Sequence, residues 1–390
     1  MIDLRPLQAE NGTPLEVLAY LQNFVEALCH TAHEETFFLW TNSQEKLPKD
    51  FPRWRYSNVR YIHTDEPNKL VNLSTSLFRF PFLDDIVETE AMRQGLLPWT
   101  QKFDICLFLV PCCAPLETNG VKAIFLHDLL FVHFPEFFSA QKNIFRVNFS
   151  RLKTEVYEAS LIFTPSCFTK NDVLRTFGGE EEKITVLAGG MSAPIERVED
   201  EEVLQAVKEK YALPDEFFLY MGSSEKQKNL PLLLKSYALH RARNGHKSWD
   251  LVLAGDVKHQ VYGDRRGVYA IGSVPPEDLS ALYSLAKALV YPSLFEGFGM
   301  RVLEAMAAGC PVISSQFSAL PEIIDDSGLK IDPASANAVF RAMQKIFSSP
   351  ELQEKLRAEG LQKSQEERFV WDTIAEQAMG KIYDFFEDNE

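Results

Sequence analysis

Glu296 and Glu304, with seven residues between them, bracket the run EGFGMRVLE in the second half of the chain. An ionised carboxylate only accepts hydrogen bonds, so such a pair suits a ligand rich in hydroxyls. The preceding ALVYPS reads as a buried strand. Gly297 and Gly299 then permit a tight turn with close backbone approach. Met300 to Ala308 are good helix formers, Gly309 fits the position just past a helix end, and Pro311 prevents continuation. A helix start carries unsatisfied N–H groups and about half a positive charge, which suits a phosphate. The amides of Met300, Arg301 and Val302 are therefore expected to face an anion at the strand end. Glu296 would bind hydroxyls beside that anion, and Glu304, over a turn into the helix, would reach another part of the same ligand. Hydroxyls on both sides of a phosphate describe a sugar nucleotide.

The elements that must hold this turn alternate along the whole chain. Strand-like runs are TFFLW (from Thr36), FDICLFLV (from Phe103), VKAIFL (from Val121), SLIFTPS (from Ser160) and KITVL (from Lys183). After the charged segment ERVEDEEVLQAVKEKYALPDE the pattern restarts with FFLYMG, DLVLAG, GVYAIG, ALVYPS, PVISS and LKID. Amphipathic stretches such as NLPLLLKSYALHRAR and ANAVFRAMQKIFSS lie between them. Strand-helix alternation implies parallel sheets covered on both faces. The sequence thus predicts an α/β protein of two doubly wound Rossmann-like domains, residues 1–195 and 196–368, facing each other across a cleft. A C-terminal amphipathic helix within 369–390 would pack back on the first, through Trp371, Ile374, Ile382 and Phe385. In open α/β sheets ligands bind beyond the carboxyl ends of the strands.

A chain of 390 residues is too long for one ordinary core. Its 46% hydrophobic and 24% charged residues are normal for a globular protein. A formal net charge of −15 argues against sequence-independent nucleic-acid binding and against electrostatic docking on anionic lipid. The N-terminal stretch has no basic start followed by an apolar run, so no signal peptide is expected. The longest apolar candidate, VKAIFLHDLLFVHFPEFF, is broken by His127, Asp128 and His133, and no membrane span is expected. The 6 Cys include no Cys-x-x-Cys pair, which fits reduced thiols in the cytoplasm.

The ordered motifs carry a resemblance. EGFGMRVLEAMAAGCPVI, with GSVPPEDLSALYSLAKALVYPSLFEGFG before it and SALPEIIDDSGLKIDP after it, is similar to the signature of retaining glycosyltransferases of the GT-B fold, glycosyltransferase family four. The likeness continues in YMGSSEKQKNLPLLLKSY and, more thinly, in HDLLFVHFPEFF and FTPSCFTKNDVLRTFG. It covers most of the chain and is densest in the second half.

The resemblance implies the following roles. Glu296, with the backbone of Gly297, Phe298 and Gly299, would bind the donor sugar, while Glu304 would bind the ribose. Lys228 would neutralise the leaving nucleoside diphosphate, electrostatic help worth about 3 kcal/mol for a well-placed donor. An arginine usual in that segment is absent: Gln227 and Ser223 stand where it would be, and Arg301 or Lys226 could substitute. His127, paired in sequence with Asp128, would face the donor sugar, and Gly12 would let the backbone approach the diphosphate. Gly222 and Gly255 at strand ends, and Val274 in the segment that builds the base pocket, complete the implied donor site. No Asp-x-Asp motif exists to clamp the diphosphate through a metal, so no metal or other cofactor is expected and helix amides with Lys228 would serve instead.

The implied reaction moves a hexosyl unit from a nucleoside-diphosphate sugar to an acceptor hydroxyl with retention. No residue stands out as the carboxylate nucleophile of a double displacement. Same-face attack is expected, with Glu296 positioning the sugar. SALPEII and EKQKNL resemble enzymes of bacterial polysaccharide and O-antigen assembly, which puts GDP-mannose first, ahead of UDP-glucose or UDP-N-acetylglucosamine. The N-terminal loops LFRFPFLDD and GLLPWTQK either cover the core, the reading that stands first, or grip a glycan or lipid-linked acceptor, which is compatible with peripheral membrane contact. The alternative is a catalytically weak or non-catalytic sugar-nucleotide-binding protein that kept the fold, which the missing arginine favours.

Overall fold

The computed structural model describes residues 1–4, 15–42, 56–64, 103–110, 120–137, 142–263 and 265–389. Gly12 and the two aromatic N-terminal loops lie outside the described residues. The chain divides into two compact units, Met1–Gly189 with Val370–Glu390, and Gly190–Phe369.

The first unit is built on a parallel sheet of β1 (Ile2–Asp3), β2 (Phe37–Asn42), β3 (Val59–Thr64), β4 (Ile105–Phe108), β5 (Val121–Phe125), β6 (Leu161–Thr164) and β7 (Ile184–Val186). Their order is β3-β2-β1-β4-β5-β6-β7. β5 and β6 pair Ala123 with Leu161 and Phe125 with Phe163, and apart from Lys122 and Thr164 their buried positions are apolar because each face is covered. The helix Cys167–Phe177 starts on Ser166, whose hydroxyl accepts from the Thr169 amide at 3.1 Å. It ends at Gly178, with φ 75°.

The C-terminal helix Trp371–Glu387 belongs to this unit and packs on the helix Leu15–Thr31, with Tyr20 and Trp371 edge to face at 5.0 Å. Ile374 and Ile382 are buried as expected. Trp371, half-buried, makes the Tyr20 contact as expected; Phe385 is half-buried, and Ala375, Ala378 and Met379 are buried beside the two isoleucines. Small side chains let the two helices approach closely, a feature that hydrophobic spacing alone does not reveal.

The second unit holds β8 (Phe217–Met221), β9 (Asp250–Ala254), β10 (Val268–Gly272), β11 (Ala288–Tyr291), β12 (Val312–Ser315) and β13 (Gly328–Ile331), ordered β10-β9-β8-β11-β12-β13. Strand order therefore reverses between β8 and β11, and the crevice at their carboxyl ends is the natural ligand position of this topology. Leu233, Leu234 and Tyr237 from the helix Leu230–Asn244, with Val339 and Met343 from the helix Ala336–Ser348, seal one face of the sheet.

The charged segment after residue 196 is a helix, Glu201–Lys210, not a bare linker. Asp200 caps it by accepting from the Glu202 amide at 2.9 Å, its first turn is acidic and Lys208 and Lys210 lie in its last turn, all in the sense the helix dipole favours. Lys210 (2.6 Å) and Tyr211 (2.5 Å) bind Asp278 on the helix Pro276–Leu285. The second unit begins at Gly190, ahead of residue 196, and Ser192 is bonded to Glu304 within it. Among the described residues no helix is long and apolar enough to cross a membrane.

Candidate functional site

Two loops meet at the reversal point of the second sheet. After β8 the chain passes Gly222 and makes a short 3₁₀ turn, Lys226–Lys228. Asn229 follows in the left-handed region, φ 57°. Its side-chain amide donates to the Pro292 carbonyl at 3.1 Å and the Pro333 carbonyl at 2.7 Å. The Leu294 amide donates to the Gln227 carbonyl at 2.7 Å. The bonds to Pro292 and Leu294 lash the Lys228 turn to the loop that follows β11, and the bond to Pro333 ties it to the loop after β13.

That loop delivers Glu296. Lys228, 4% exposed, donates from Nζ to Glu296 Oε1 at 3.0 Å and Oε2 at 3.3 Å, and to the Tyr291 hydroxyl at 2.8 Å. Oε1 also accepts from Tyr291 at 3.0 Å and from Ser293 Oγ at 2.6 Å. The Glu296 amide donates to Ser318 Oγ at 3.1 Å. A buried carboxylate is tolerable only with such partners, since its bare desolvation would cost several kcal/mol. Sequence reasoning named Lys228 and Glu296 separately. The structure joins them as an ion pair, with Tyr291 and Ser293 as supports.

Gly299 sets the entry to the helix Met300–Ala307. Its φ of 125° suits glycine, and a Cβ there would come within 2.6 Å of Leu320 Cδ2. Phe298 is buried with its ring 6.2 Å from that of Phe369, so the side chain anchors the turn inward. One expectation needs correction. The Val302 amide donates to the Gly299 carbonyl at 2.9 Å, because the first turn closes as a tight i to i+3 bond; it is spent within the helix and not offered to an anion.

Glu304 is fully buried, at 0% exposure. Its Oε1 accepts from the Ser192 amide at 3.2 Å and from the Ser192 hydroxyl; its Oε2 accepts from the Tyr283 hydroxyl at 3.0 Å and from Arg301 Nη1 at 2.9 Å. Burial first, and then the neighbouring carboxylate, push the Tyr283 phenol far up, so it stays a protonated donor. The Arg301 guanidinium is thereby committed to Glu304, which weakens its claim to replace the missing arginine.

Ser223 and Gln227 both turn to Glu225, at 2.9 Å and 3.1 Å. Lys226 is exposed on the outside of the turn. Gly255, φ 108°, sits so close to Gly222 that a Cβ would lie 2.0 Å from the Gly222 carbonyl oxygen. The ends of β8 and β9 therefore share one narrow backbone crossing. Val274 is half-buried in the loop between β10 and the helix Pro276–Leu285.

In the first unit His127 follows β5, stacked on Phe125 at 4.6 Å and edge-on to Tyr20 at 5.4 Å. Its Nε2–H donates to the Leu109 carbonyl at 3.2 Å. Burial pushes its pKa down to about 4, so the imidazole is neutral at ordinary pH. Asp128 accepts from the Leu130 amide at 2.8 Å and starts the short helix Leu130–His133. His133 binds the buried Asp172, 2.8 Å away. Among the described residues no group of His, Cys, Asp or Glu is placed to hold a metal ion.

Sequence reasoning missed Tyr291, Ser293, Asn229, Tyr283 and Ser192. Tyr291 and Ser293 stand in the same short run as Glu296, where a strand-end polar residue facing an acid was a usable signal. Ser192 reaches Glu304 across 112 positions, and nothing in its local sequence marks it.

Residues 204–363 match the family model for glycosyl transferases group 1. The chain is 32% identical to O-antigen chain mannosyltransferase B of Escherichia coli over 266 residues, covering 65% of this chain and 68% of that protein. It is 29% identical to the serotype-specific mannosyltransferase WbdA of Escherichia coli over 265 residues, covering 65% of this chain but only 32% of that protein, so it spans about a third of WbdA. The structure of sucrose-phosphate synthase from Thermosynechococcus elongatus superposes with a TM-score of 0.73 at 20% identity, covering 100% of this chain and 99% of that one. Two doubly wound parallel sheets of this kind are the GT-B fold of glycosyltransferases. The chain belongs to the group 1 glycosyl transferases, and its activity is glycosyl transfer.

Proposed function

We propose that this glycosyltransferase moves a mannosyl unit from GDP-mannose to a hydroxyl of a glycan or lipid-linked acceptor, with retention of anomeric configuration and without a metal. The names of the mannosyltransferase relatives support the sugar, and through it the donor. The second unit would hold the donor and the first unit the acceptor. The observation that carries the reading is the Lys228–Glu296 pair at the reversal point of the second sheet, beside a glycine-gated helix start. Lys228 would neutralise the departing diphosphate, helped by the helix start. Glu296 would accept hydroxyls of the sugar. A carboxylate already loaded by Lys228, Tyr291 and Ser293 is a poor nucleophile, which supports same-face attack over a covalent intermediate. The ribose hydroxyls would take over the place of Ser192 on Glu304. Any role of His127 toward the sugar is that of a neutral imidazole. The buried thiols of Cys29, Cys106 and Cys310 suit a cytoplasmic setting.

The test is a thermal-shift screen of GDP, UDP and their sugars, since binding raises stability by mass action, followed by transfer from the donor that binds. GDP and GDP-mannose are expected to stabilise the wild type, and transfer should vanish in Glu296→Ala and Lys228→Ala. A wild type stabilised by none of these ligands, or variants that still transfer at the wild-type rate, overturns the proposal. Binding without transfer or donor hydrolysis would favour the non-catalytic alternative.

A further inference from the structure

We infer that Tyr291 is a positioning residue whose hydroxyl bridges Lys228 and Glu296 and fixes the direction in which each faces. This rests on the donor-site reading given above. Tyr291 is the last residue of β11 and is 1% exposed, so its ring cannot swing away. Its hydroxyl accepts from Lys228 Nζ at 2.8 Å and donates to Glu296 Oε1 at 3.0 Å.

An ammonium and a carboxylate buried side by side gain most by facing each other squarely, each spending its charge on the other. Lys228 and Glu296 are in such contact, but Lys228 shares it with a third group. It stands at unequal distances from the two oxygens, 3.0 and 3.3 Å, and gives its shortest bond to the phenol. Tyr291 thus takes one N–H of the ammonium and one lone pair of Oε1, while Ser293 occupies another lone pair of that oxygen at 2.6 Å. The result is two charges in fixed register that stay distinct: a cation for the diphosphate and an acceptor for the sugar. Without the hydroxyl, Nζ and Oε1 each lose a partner that fixes their direction, and a sugar donor meets a pair that is no longer aimed at it.

The prediction is therefore selective among ligands. Binding of GMP, GDP and GDP-mannose, and of UMP, UDP and UDP-glucose, is measured by calorimetry on wild type, Tyr291→Phe and Glu296→Gln. In Tyr291→Phe the monophosphate should keep its affinity within about twofold, while the sugar donor weakens about tenfold and kcat for transfer falls at least as far. Equal weakening of every ligand, as loose packing would cause, overturns the inference. So does no weakening at all. If Glu296→Gln loses sugar-donor affinity and Tyr291→Phe does not, only the role of Tyr291 falls. If neither series binds the wild type, or Glu296→Gln is also silent, the donor-site reading falls and takes this inference with it. Tyr291→Met, which keeps apolar volume without the hydroxyl, repeats the comparison should Tyr291→Phe fail to fold.

Discussion

Ser192 caps Glu304: both its amide, at 3.2 Å, and its hydroxyl donate to Oε1 of a carboxylate that has no solvent exposure. A ribose cannot reach Oε1 while that cap is closed. Ser192→Ala removes one donor, which should cost about 1 kcal/mol of stability. It also removes a competitor, so nucleoside diphosphate should bind about fivefold more tightly. The two effects have opposite signs and are read separately, by urea unfolding and by calorimetric titration. An unchanged or weaker nucleotide affinity would mean that Glu304 only braces the helix.

Lys228→Gln tests the charge at the reversal point. Gln keeps a donor but leaves the Glu296 carboxylate buried without its cation. Stability should fall by about 3 kcal/mol, and single-turnover transfer should slow by about a hundredfold or more. A variant that retains a tenth of the wild-type rate would show that the leaving diphosphate is neutralised by something else.

Much of this was legible because short parallel strands announce themselves. The runs from Phe217, Leu251 and Ala288 are hydrophobic at every position, which only strands buried on both faces need to be. β1, two residues long, and β3, with Arg60 and His63 among its six, carry no such signal and went unnoticed. At the site, Glu296 and Glu304 were found because glycines, a strand and a helix stop frame them within one short run, and Lys228 through the resemblance carried by YMGSSEKQKN. What could not be read is who faces whom. The Lys228–Glu296 pair spans 68 positions and the Ser192–Glu304 pair 112, and both depend on how sheet order folds back at β8 and β11. The sequence therefore suggested that Glu304 waits for a ligand, where the structure has it fully occupied.

The crossing of β8 and β9 gives a sharp contrast between two glycines. Gly272 has φ 73° and nothing within 4 Å of a built Cβ, so Gly272→Ala meets only the left-handed penalty, about 1 kcal/mol. Gly255 has φ 108° and a Cβ there would sit 2.0 Å from the backbone oxygen of Gly222. Gly255→Ala should cost more than about 3 kcal/mol, because the obstacle is main chain and cannot rotate aside. Relief would push Gly222 outward and carry the Lys228 turn with it, so transfer should drop even where the protein still folds. Equal unfolding midpoints for the two variants would refute the close crossing.

Two histidines, the buried His240 and the half-buried His127, set the acid side of stability. His240 has no exposure, lies edge to face with Phe218 and Phe347, and its Nδ1 accepts from Gln344 at 2.7 Å. Burial, and then Arg241, push its pKa down to about 4, and burial does the same to His127. Both folded values lie below that of a free imidazole, about 6.5. Between those limits the unfolded chain takes up protons that the folded chain refuses, so stability falls as pH falls through that window and is regained above it. The order of magnitude is about 3 kcal/mol for each ring across the whole window. Urea midpoints should therefore decline steadily from about pH 7 to about pH 5. His240→Phe should begin from a lower midpoint, because Gln344 and Asn244 lose their acceptor, but decline less steeply. A variant with the wild-type slope would mean that the ring carries its proton inside the fold.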